Sequence, residues 1–500
     1  MPQKWIFNHT ILAAKAGFWE YPTCRKSWFS IKLIRQERNF MDIVFKRKIY
    51  DKLVEWKKED NGNSALLIEG ARRVGKSTIA EAFAKDNYKS YILIDFRTAS
   101  KDIKQNFIDN VNPGNLNRFF QRLSILTSVD LYPRESLIIF DEIQRFPKAR
   151  ECIKDFVKDG RYDYIETGSL ISIKENSDGI TIPSEERKIK MYPLDFEEYL
   201  WARGKRPLAE AIKQAFLDKV PFDSALHKEA QTLFKEYMIV GGMPQSVCAY
   251  ISSNESFAKA DSAKRLILSL YRDDIKKADK RYRLKSGRLF EGLPGFLSRH
   301  EKTVVLDKID GNATFEDYAD AIYWLGDSMM VNNCFRCTDP SMAMALNKKE
   351  SSVKCYMGDT GLLMSMAFSS GVSKSEEVYR KLLDDRLSVN EGMFFENVIA
   401  QSVACSGNDL YFYAHRSEKT HQNDVEVDFL LTDGNLSSSK VIPIEVKSSK
   451  NYTTISYSRF SASFPKRIGD GYVVHPKQLK IEGKTTYLPC YMFFCLFEVQ

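Results

Sequence analysis

The chain has 500 residues, 43% hydrophobic and 28% charged, too long for one core and too apolar for a disordered chain, so about three folded domains are expected. Its 16 prolines and 25 glycines are ordinary in number and show no period of about 20–50 residues, which excludes collagen, solenoids and propellers. Residues 1–40 carry seven Lys/Arg against two Asp/Glu, so most of the net charge of +8 lies there; the rest is near neutral and charge alone supports no DNA claim.

Nine cysteines scattered along a long chain point to thiols in a reducing compartment, so a cytoplasmic protein is expected. The lone Cys334-x-x-Cys337 has no second pair and no nearby histidine, and reads as two small strand residues. No stretch approaches the roughly eighteen apolar residues of a membrane-spanning helix, so no membrane partner is expected.

Residues 1–40 show neither an amphipathic period nor the layout of a cleaved export signal. Met41 is the expected biological start, which makes the upstream piece an over-extended reading or a disordered arm. Lys46, Lys48, Ile49, Leu53, Val54 and Trp56 then follow the spacing of an amphipathic helix.

The apolar run Ala65–Ile68 leads into Gly70-Ala71-Arg72-Arg73-Val74-Gly75-Lys76-Ser77, a match to the P-loop pattern at every fixed position, and a helix is expected from Thr78. In that setting backbone amides from Gly70 to Thr78 curl around phosphate oxygens at a positive helix end. Lys76 is expected to neutralise the β- and γ-phosphates of ATP and Ser77 to ligate Mg²⁺. Leu137–Phe140 then reads as a buried strand ending in Asp141 and Glu142. Asp141 is expected to hold the Mg²⁺ water shell and Glu142 to act as general base, giving ATP + H₂O → ADP + phosphate.

A further buried strand run, Tyr91–Phe96, lies between these motifs, and Tyr164–Ser169 follows them. Thr167 or Ser169 is placed to sense the γ-phosphate, although Thr-Gly-Ser is equally an ordinary strand-end turn. Arg187 is a candidate γ-phosphate contact in cis or across a subunit interface, with a solvated strand-opening arginine as the alternative.

Together, Gly70–Ser77, Asp141-Glu142-Ile143-Gln144, Thr167-Gly168-Ser169 and the run Tyr192 to Tyr199 resemble the bacterial and archaeal AAA-type ATPases fused to a C-terminal domain of unknown function. Gly241-Gly242-Met243-Pro244, Asp359-Thr360-Gly361-Leu362 and Glu396-Asn397 extend the likeness to about residue 490. Two departures stand out: no glycine precedes Arg187, and Glu166 occupies a position where an apolar residue is common.

Residues 206–280 have helical spacing and are broken at Gly241–Pro244. A helix over Thr314–Leu325 followed by an extended Met330–Arg336 fits a winged-helix module, as in the family resembled. Its helix carries Glu316, Asp317 and Asp320 and no Lys or Arg, which suits protein docking better than a phosphate backbone.

Farther on, Val425–Leu431, a Gly/Asn/Ser turn at 433–439 and Val441–Lys447 read as a hairpin. Alternation puts Glu445 and Lys447 on one face, where Asp428 on the paired strand can meet them. With Glu396 from a preceding helix, the set resembles the restriction-endonuclease-like fold. That resemblance implies Asp428 and Glu445 as ligands of a second metal, Glu396 completing the shell, and Lys447 orienting water. A solvated sheet face is the alternative.

The expected fold is α/β. An additional-strand, AAA-like P-loop NTPase domain covers 41–205, a helical lid or connector 206–283, a winged-helix-like module 284–345 and an α/β restriction-endonuclease-like domain 346–500. The expected role is an ATPase that gates its C-terminal modules, acting on DNA; the rival is a nucleotide-operated switch that docks protein through the winged-helix region, with an inactive nuclease-like domain. A homo-oligomer fits either.

Overall fold

The computed structural model describes residues 44–111, 116–169, 184–368, 376–384, 386, 391–416, 423–432 and 440–497. The expectations for residues 1–40 and for the turn at 433–439 fall outside them.

Strand β1 (Ala65–Glu69) is apolar on both faces and therefore needs parallel neighbours covered by helices above and below. It finds them in a five-stranded sheet with β2 (Ser90–Asp95), β3 (Ser136–Asp141), β4 (Asp163–Gly168) and β5 (Glu186–Lys190), ordered β2-β3-β4-β1-β5. Every pairing is parallel. Strand β4 thus separates the strand ending at the glycine loop from the strand ending in Asp141, and all carboxyl ends lie along one edge. Helices α1 (Ile49–Asp60), α2 (Lys76–Asn87), α3 (Lys101–Asn110), α4 (Leu116–Thr127), α5 (Pro147–Glu151) and α6 (Ile153–Asp159) accompany the sheet. Leu66 and Ile68 pack into one apolar cluster, Ala65 and Leu67 into the other, so β1 is the spine of both.

Next come helices α7 (Phe196–Ala202), α8 (Arg206–Leu217), α9 (Ser224–Val240), α10 (Pro244–Ser252), α11 (Phe257–Ile275), α12 (Arg283–Leu297) and α13 (Phe315–Asp327). Asp195 and Glu198 form a capping box at the start of α7. Glu198 also accepts from Arg47 Nε (3.0 Å) and from the Lys48 amide (2.7 Å), while Arg47 donates to the carbonyls of Val74 (3.1 Å) and Tyr192 (2.6 Å). The acidic run after Pro193 therefore fastens the chain before α1 to the glycine loop.

The second sheet has eight strands, β6 (Val331–Cys337), β7 (Lys348–Met357), β8 (Leu410–Arg416), β9 (Asn423–Thr432), β10 (Val441–Val446), β11 (Gly471–His475), β12 (Lys480–Glu482) and β13 (Thr485–Pro489). Their order is β12-β13-β11-β10-β9-β8-β6-β7, with α14 (Thr360–Ala367), α15 (Glu376–Leu383), α16 (Glu391–Cys405) and α17 (Ile455–Ser463) completing this part. After α13 the expected extended strand is β6, and β7 returns antiparallel beside it. Strand β6 pairs antiparallel with β7 and parallel with β8, so a boundary at residue 345 would cut between hydrogen-bonded strands. Within this larger sheet Cys334 and Cys337 of β6 are fully buried.

Candidate functional site

The glycine loop turns between β1 and α2, with Gly75 in the left-handed region at φ 101°. Lys76 is buried at the first turn of α2, and its ammonium donates to the carbonyls of Gly70 (2.8 Å) and Ala71 (2.9 Å). Burial pushes this lysine down to about 8, against the pull of Glu142 and Asp141. Ser77 Oγ donates to Asp141 Oδ1 at 2.7 Å, and Thr167 Oγ1 donates to the same oxygen. Three strand ends, β1, β3 and β4, thus bring Ser77, Asp141 and Thr167 together. Glu142 takes a left-handed φ of 55°, is half-buried, and accepts from Gln144 Nε2 at 2.7 Å. Ser169 is buried just beyond the end of β4.

Of these groups Lys76, Ser77, Asp141 and Glu142 line a cavity of about 470 Å³. Arg72, Arg73 and Arg97 also line it, together with Phe45, Pro244, Cys248, Ala249 and Ala263. Helices α10 and α11 thus supply part of the lining, with Pro244 close beside Gly75 of the glycine loop. Arg72 reaches Asp274 at 3.0 Å, and its carbonyl accepts from Tyr271 Oη at 3.3 Å, so α11 also grips the loop directly.

Arg187 is not brought to this cavity. It pairs with Leu66 near the amino end of β1, and its guanidinium binds Glu59 and Asp60, both at 3.1 Å. Glu166, the second departure from the family pattern, lies wholly buried beside Glu186, which Arg150 holds through two hydrogen bonds (2.9 and 3.1 Å). Burial, then the Glu186 charge, hold the Glu166 carboxyl well above its ordinary value. Arg97 was missed in the sequence: it follows β2 by two residues, lines the cavity, and stands 4.0 Å from Glu142.

The C-terminal candidates do converge. The β9–β10 register carries Phe429 opposite Ile444, and Asp428 Oδ2 accepts from the Val446 amide at 2.8 Å. Lys447 Nζ donates to Glu445 Oε1 at 2.6 Å, while Glu445 Oε2 is buried without a hydrogen-bond partner. Two lysines unforeseen from the sequence join them. Lys354, 1% exposed, lies over the Phe412 ring with its ammonium 2.8 Å from Glu426, 3.3 Å from Glu396 and 3.9 Å from Asp428. Lys302 and Tyr356 both donate to Glu396. Burial opposes ionisation of Glu396, yet Lys302 and Lys354 hold it down to about 2. Asp428 is pushed up to about 6 by burial and then by Glu396, and Glu445 up to about 8 by burial and then by Asp428. Among the described residues no group of three or more His, Cys, Asp or Glu is arranged to hold a metal.

The three motifs that extended the family likeness also meet. Gly242 N–H donates to Asp359 Oδ2 at 2.6 Å; Thr360 N–H and Oγ1 donate to Gln401 Oε1 (2.8 and 2.9 Å); Asn397 binds the Met357 amide (2.8 Å) and Thr360 Oγ1 (2.9 Å). They form one buried polar junction between α10, α14 and α16.

Residues 62–200 match a family model described as an AAA domain, residues 231–376 a domain of unknown function (DUF8612), and residues 391–493 another (DUF4143). No curated protein matches the chain. Among solved structures, a Walker-type ATPase of Pyrococcus abyssi is 15% identical with a TM-score of 0.40, covering 65% of this chain and 96% of its own. The Aeropyrum pernix ORC1 protein in complex with DNA is 12% identical with a TM-score of 0.29, covering 69% and 94%. The Thermotoga maritima RuvB Holliday junction branch migration motor is 14% identical with a TM-score of 0.27, covering 57% and 89%. No helix among the described residues is long and apolar enough to cross a membrane. The chain carries an AAA-type P-loop ATPase domain followed by two domains of unknown function.

Proposed function

We propose that the protein binds MgATP in the cavity between the parallel sheet and α10–α11, hydrolyses it, and uses the cycle to reposition its helical and C-terminal parts. The observation that carries this reading is the meeting of Lys76, Ser77, Asp141 and Glu142 in the lining of a cavity large enough for a nucleotide, with Thr167 bound to Asp141 behind them. Hydroxyl and carboxylate oxygens on Ser77 and Asp141 are the hard donors Mg²⁺ takes. They would hold the ion, which supplies positive charge to the phosphate oxygens. Amides from Gly70 to Thr78 and the Lys76 ammonium grip the phosphates, and Thr167 keeps Asp141 in place. Phe45, Pro244 and Cys248 offer an apolar wall to the base.

Glu142 takes a proton from water as its oxygen bonds to the γ-phosphorus. The bond to the bridging oxygen breaks, and its electron pair leaves on ADP. The test is calorimetry with MgATP on the parent and Lys76→Ala, with phosphate release from Glu142→Gln. Lys76→Ala should abolish uptake, and Glu142→Gln should bind ATP but turn over ~10²-fold or more slowly. A folded parent that takes up no MgATP, or uptake indifferent to Lys76→Ala, ends the reading.

What the cycle serves divides two readings. One is a DNA-acting machine whose restriction-endonuclease-like tail uses Asp428, Glu445, Lys447 and Glu396; the other is a switch that docks a protein partner or a second copy. The Lys354 ammonium among Glu396, Glu426 and Asp428 favours the switch, because a lysine already balances the acids a catalytic cation would need. Nucleotide-dependent oligomerisation without DNA affinity is the expected result. Mg²⁺- or Mn²⁺-dependent cleavage of DNA, lost in Asp428→Ala, would return the machine reading.

A further inference from the structure

A P-loop site needs a cation on the γ-phosphoryl group beyond its lysine and metal, because charge spreads over three oxygens as the bond to the leaving group lengthens. Arg187 lies at the wrong end of the sheet for that task in cis. Three other arginines line the cavity, and their surroundings distinguish them. Arg72 is committed to Asp274 at 3.0 Å. Arg73 and Arg97 are both exposed, but Arg73 sits on the glycine loop itself, with a left-handed φ of 72°. Arg97 is held at the carboxyl end of β2, the neighbour of the acid strand, where Asp95 pairs in register with Asp141.

Its geometry is specific. Asp95 takes Arg97 Nε (3.0 Å) and Nη2 (2.8 Å) in a two-point pairing and also accepts the Arg97 amide at 2.9 Å, which fixes the guanidinium plane. Nη1 is left over, and it stands 4.0 Å from Glu142 Oε1. A structural ion pair would be complete with Asp95 alone; this one presents a remaining donor edge beside the group placed to activate water.

We propose that Arg97 is the arginine that contacts the γ-phosphoryl group from within the same chain, with Asp95 as the positioning residue that aims it. The proposal rests on the ATPase reading. As water attacks and ADP departs, Nη1 donates to a γ-oxygen and the guanidinium neutralises charge that grows there; it transfers no proton and forms no covalent bond.

Steady-state hydrolysis and MgADP calorimetry on the parent, Arg97→Ala, Arg97→Lys and Asp95→Asn test it. Arg97→Ala should lower kcat by ~10²–10³-fold while KM and the Kd for MgADP stay within about threefold, since the diphosphate lacks the group touched. Millimolar guanidinium ion should restore part of the lost rate in Arg97→Ala and none in Asp95→Asn, which keeps its own guanidinium. Arg97→Lys, which retains charge without the fork, should fall between. Asp95→Asn should lower kcat ~10-fold with MgADP binding unchanged, and it decides the matter should Arg97→Ala fail to fold. A parent that hydrolyses ATP beside an Arg97→Ala of equal kcat, or a loss carried by MgADP affinity without guanidinium rescue, overturns the role of Arg97. A parent that hydrolyses nothing overturns the ATPase reading instead.

Discussion

Lys354 is the residue whose surroundings say most about the C-terminal part. An ammonium taken wholly out of water costs several kcal/mol unless it is paired, and here three carboxylates share it. Burial opposes its charge, but Glu396, Glu426 and Asp428 hold Lys354 well above its ordinary value. Lys354→Met should therefore destabilise the fold by about 3–5 kcal/mol in urea titrations, because it strands buried acids. Adding Glu426→Gln should recover part of that loss; a single variant as stable as the parent would mean the acids are balanced otherwise. His475 offers a pH test. It is buried at the end of β11, its Nδ1 2.6 Å from Tyr452 Oη and its Nε2 3.2 Å from the Gln478 carbonyl, and burial pushes it down to about 4. The unfolded imidazole protonates near pH 6.5 and the folded one near 4, so its contribution is complete above 6.5 and drains away as pH falls to 4. After allowing for solvent screening this is worth ~1–2 kcal/mol. Urea midpoints of the parent and His475→Asn should accordingly differ by less at pH 4.5 than at pH 7; an equal gap at both would refute the assignment.

At the scale of elements, Gly242 fixes where α10 begins. A Cβ there would run into the backbone carbonyl of Leu194, and the Gly242 carbonyl accepts the Leu194 amide at 2.7 Å, so two chains touch where only hydrogen fits. Gly242→Ala should cost ~2–4 kcal/mol and, by pushing α10 off the cavity, weaken MgATP binding measured by calorimetry; an unchanged Kd would show that α10 plays no part in holding nucleotide. The cradle, the acid strand and the β9–β10 hairpin were legible because each is set by local chemistry: glycines for a tight loop, an unbroken apolar run, a period of two. The β6 strand was equally legible as a strand, but not its partner, since pairing with β8 joins segments some seventy residues apart through contacts no local pattern encodes. The acids of α13 were read as hostile to DNA, and their placement adds a cause: Thr314 and Asp317 close a capping box, with Glu316 in the same first turn, where negative charge suits the helix dipole. Lys302 and Lys354 were invisible because an isolated lysine carries no signal of the acids it will meet.

Across the whole molecule, the buried junction ties the nucleotide cavity to the C-terminal acid cluster by a short route. From Pro244 on the cavity wall the path runs through the Gly242 amide to Asp359, which also caps α14 by accepting the Leu362 amide at 2.9 Å. Thr360 and the Met357 backbone then hand it to Gln401 and Asn397 on α16, one residue from Glu396. Tyr237 closes the loop, taking a hydrogen bond from Gln401 Nε2 (3.0 Å) and donating to the Leu194 carbonyl (2.7 Å). Because each polar group here is buried and paired, the junction cannot slide; it must move as a body or break bonds worth about 1 kcal/mol each. A nucleotide that draws α10 towards the glycine loop should consequently tighten α16 as well. Hydrogen exchange with and without MgADP measures this: protection should rise in both α10 and α16 of the parent. In Asp359→Ala the rise should persist in α10, which still touches nucleotide, and vanish in α16, which has lost its connection. Equal protection of α16 in the two proteins would mean that the ATPase domain and the C-terminal sheet share a junction without sharing a response.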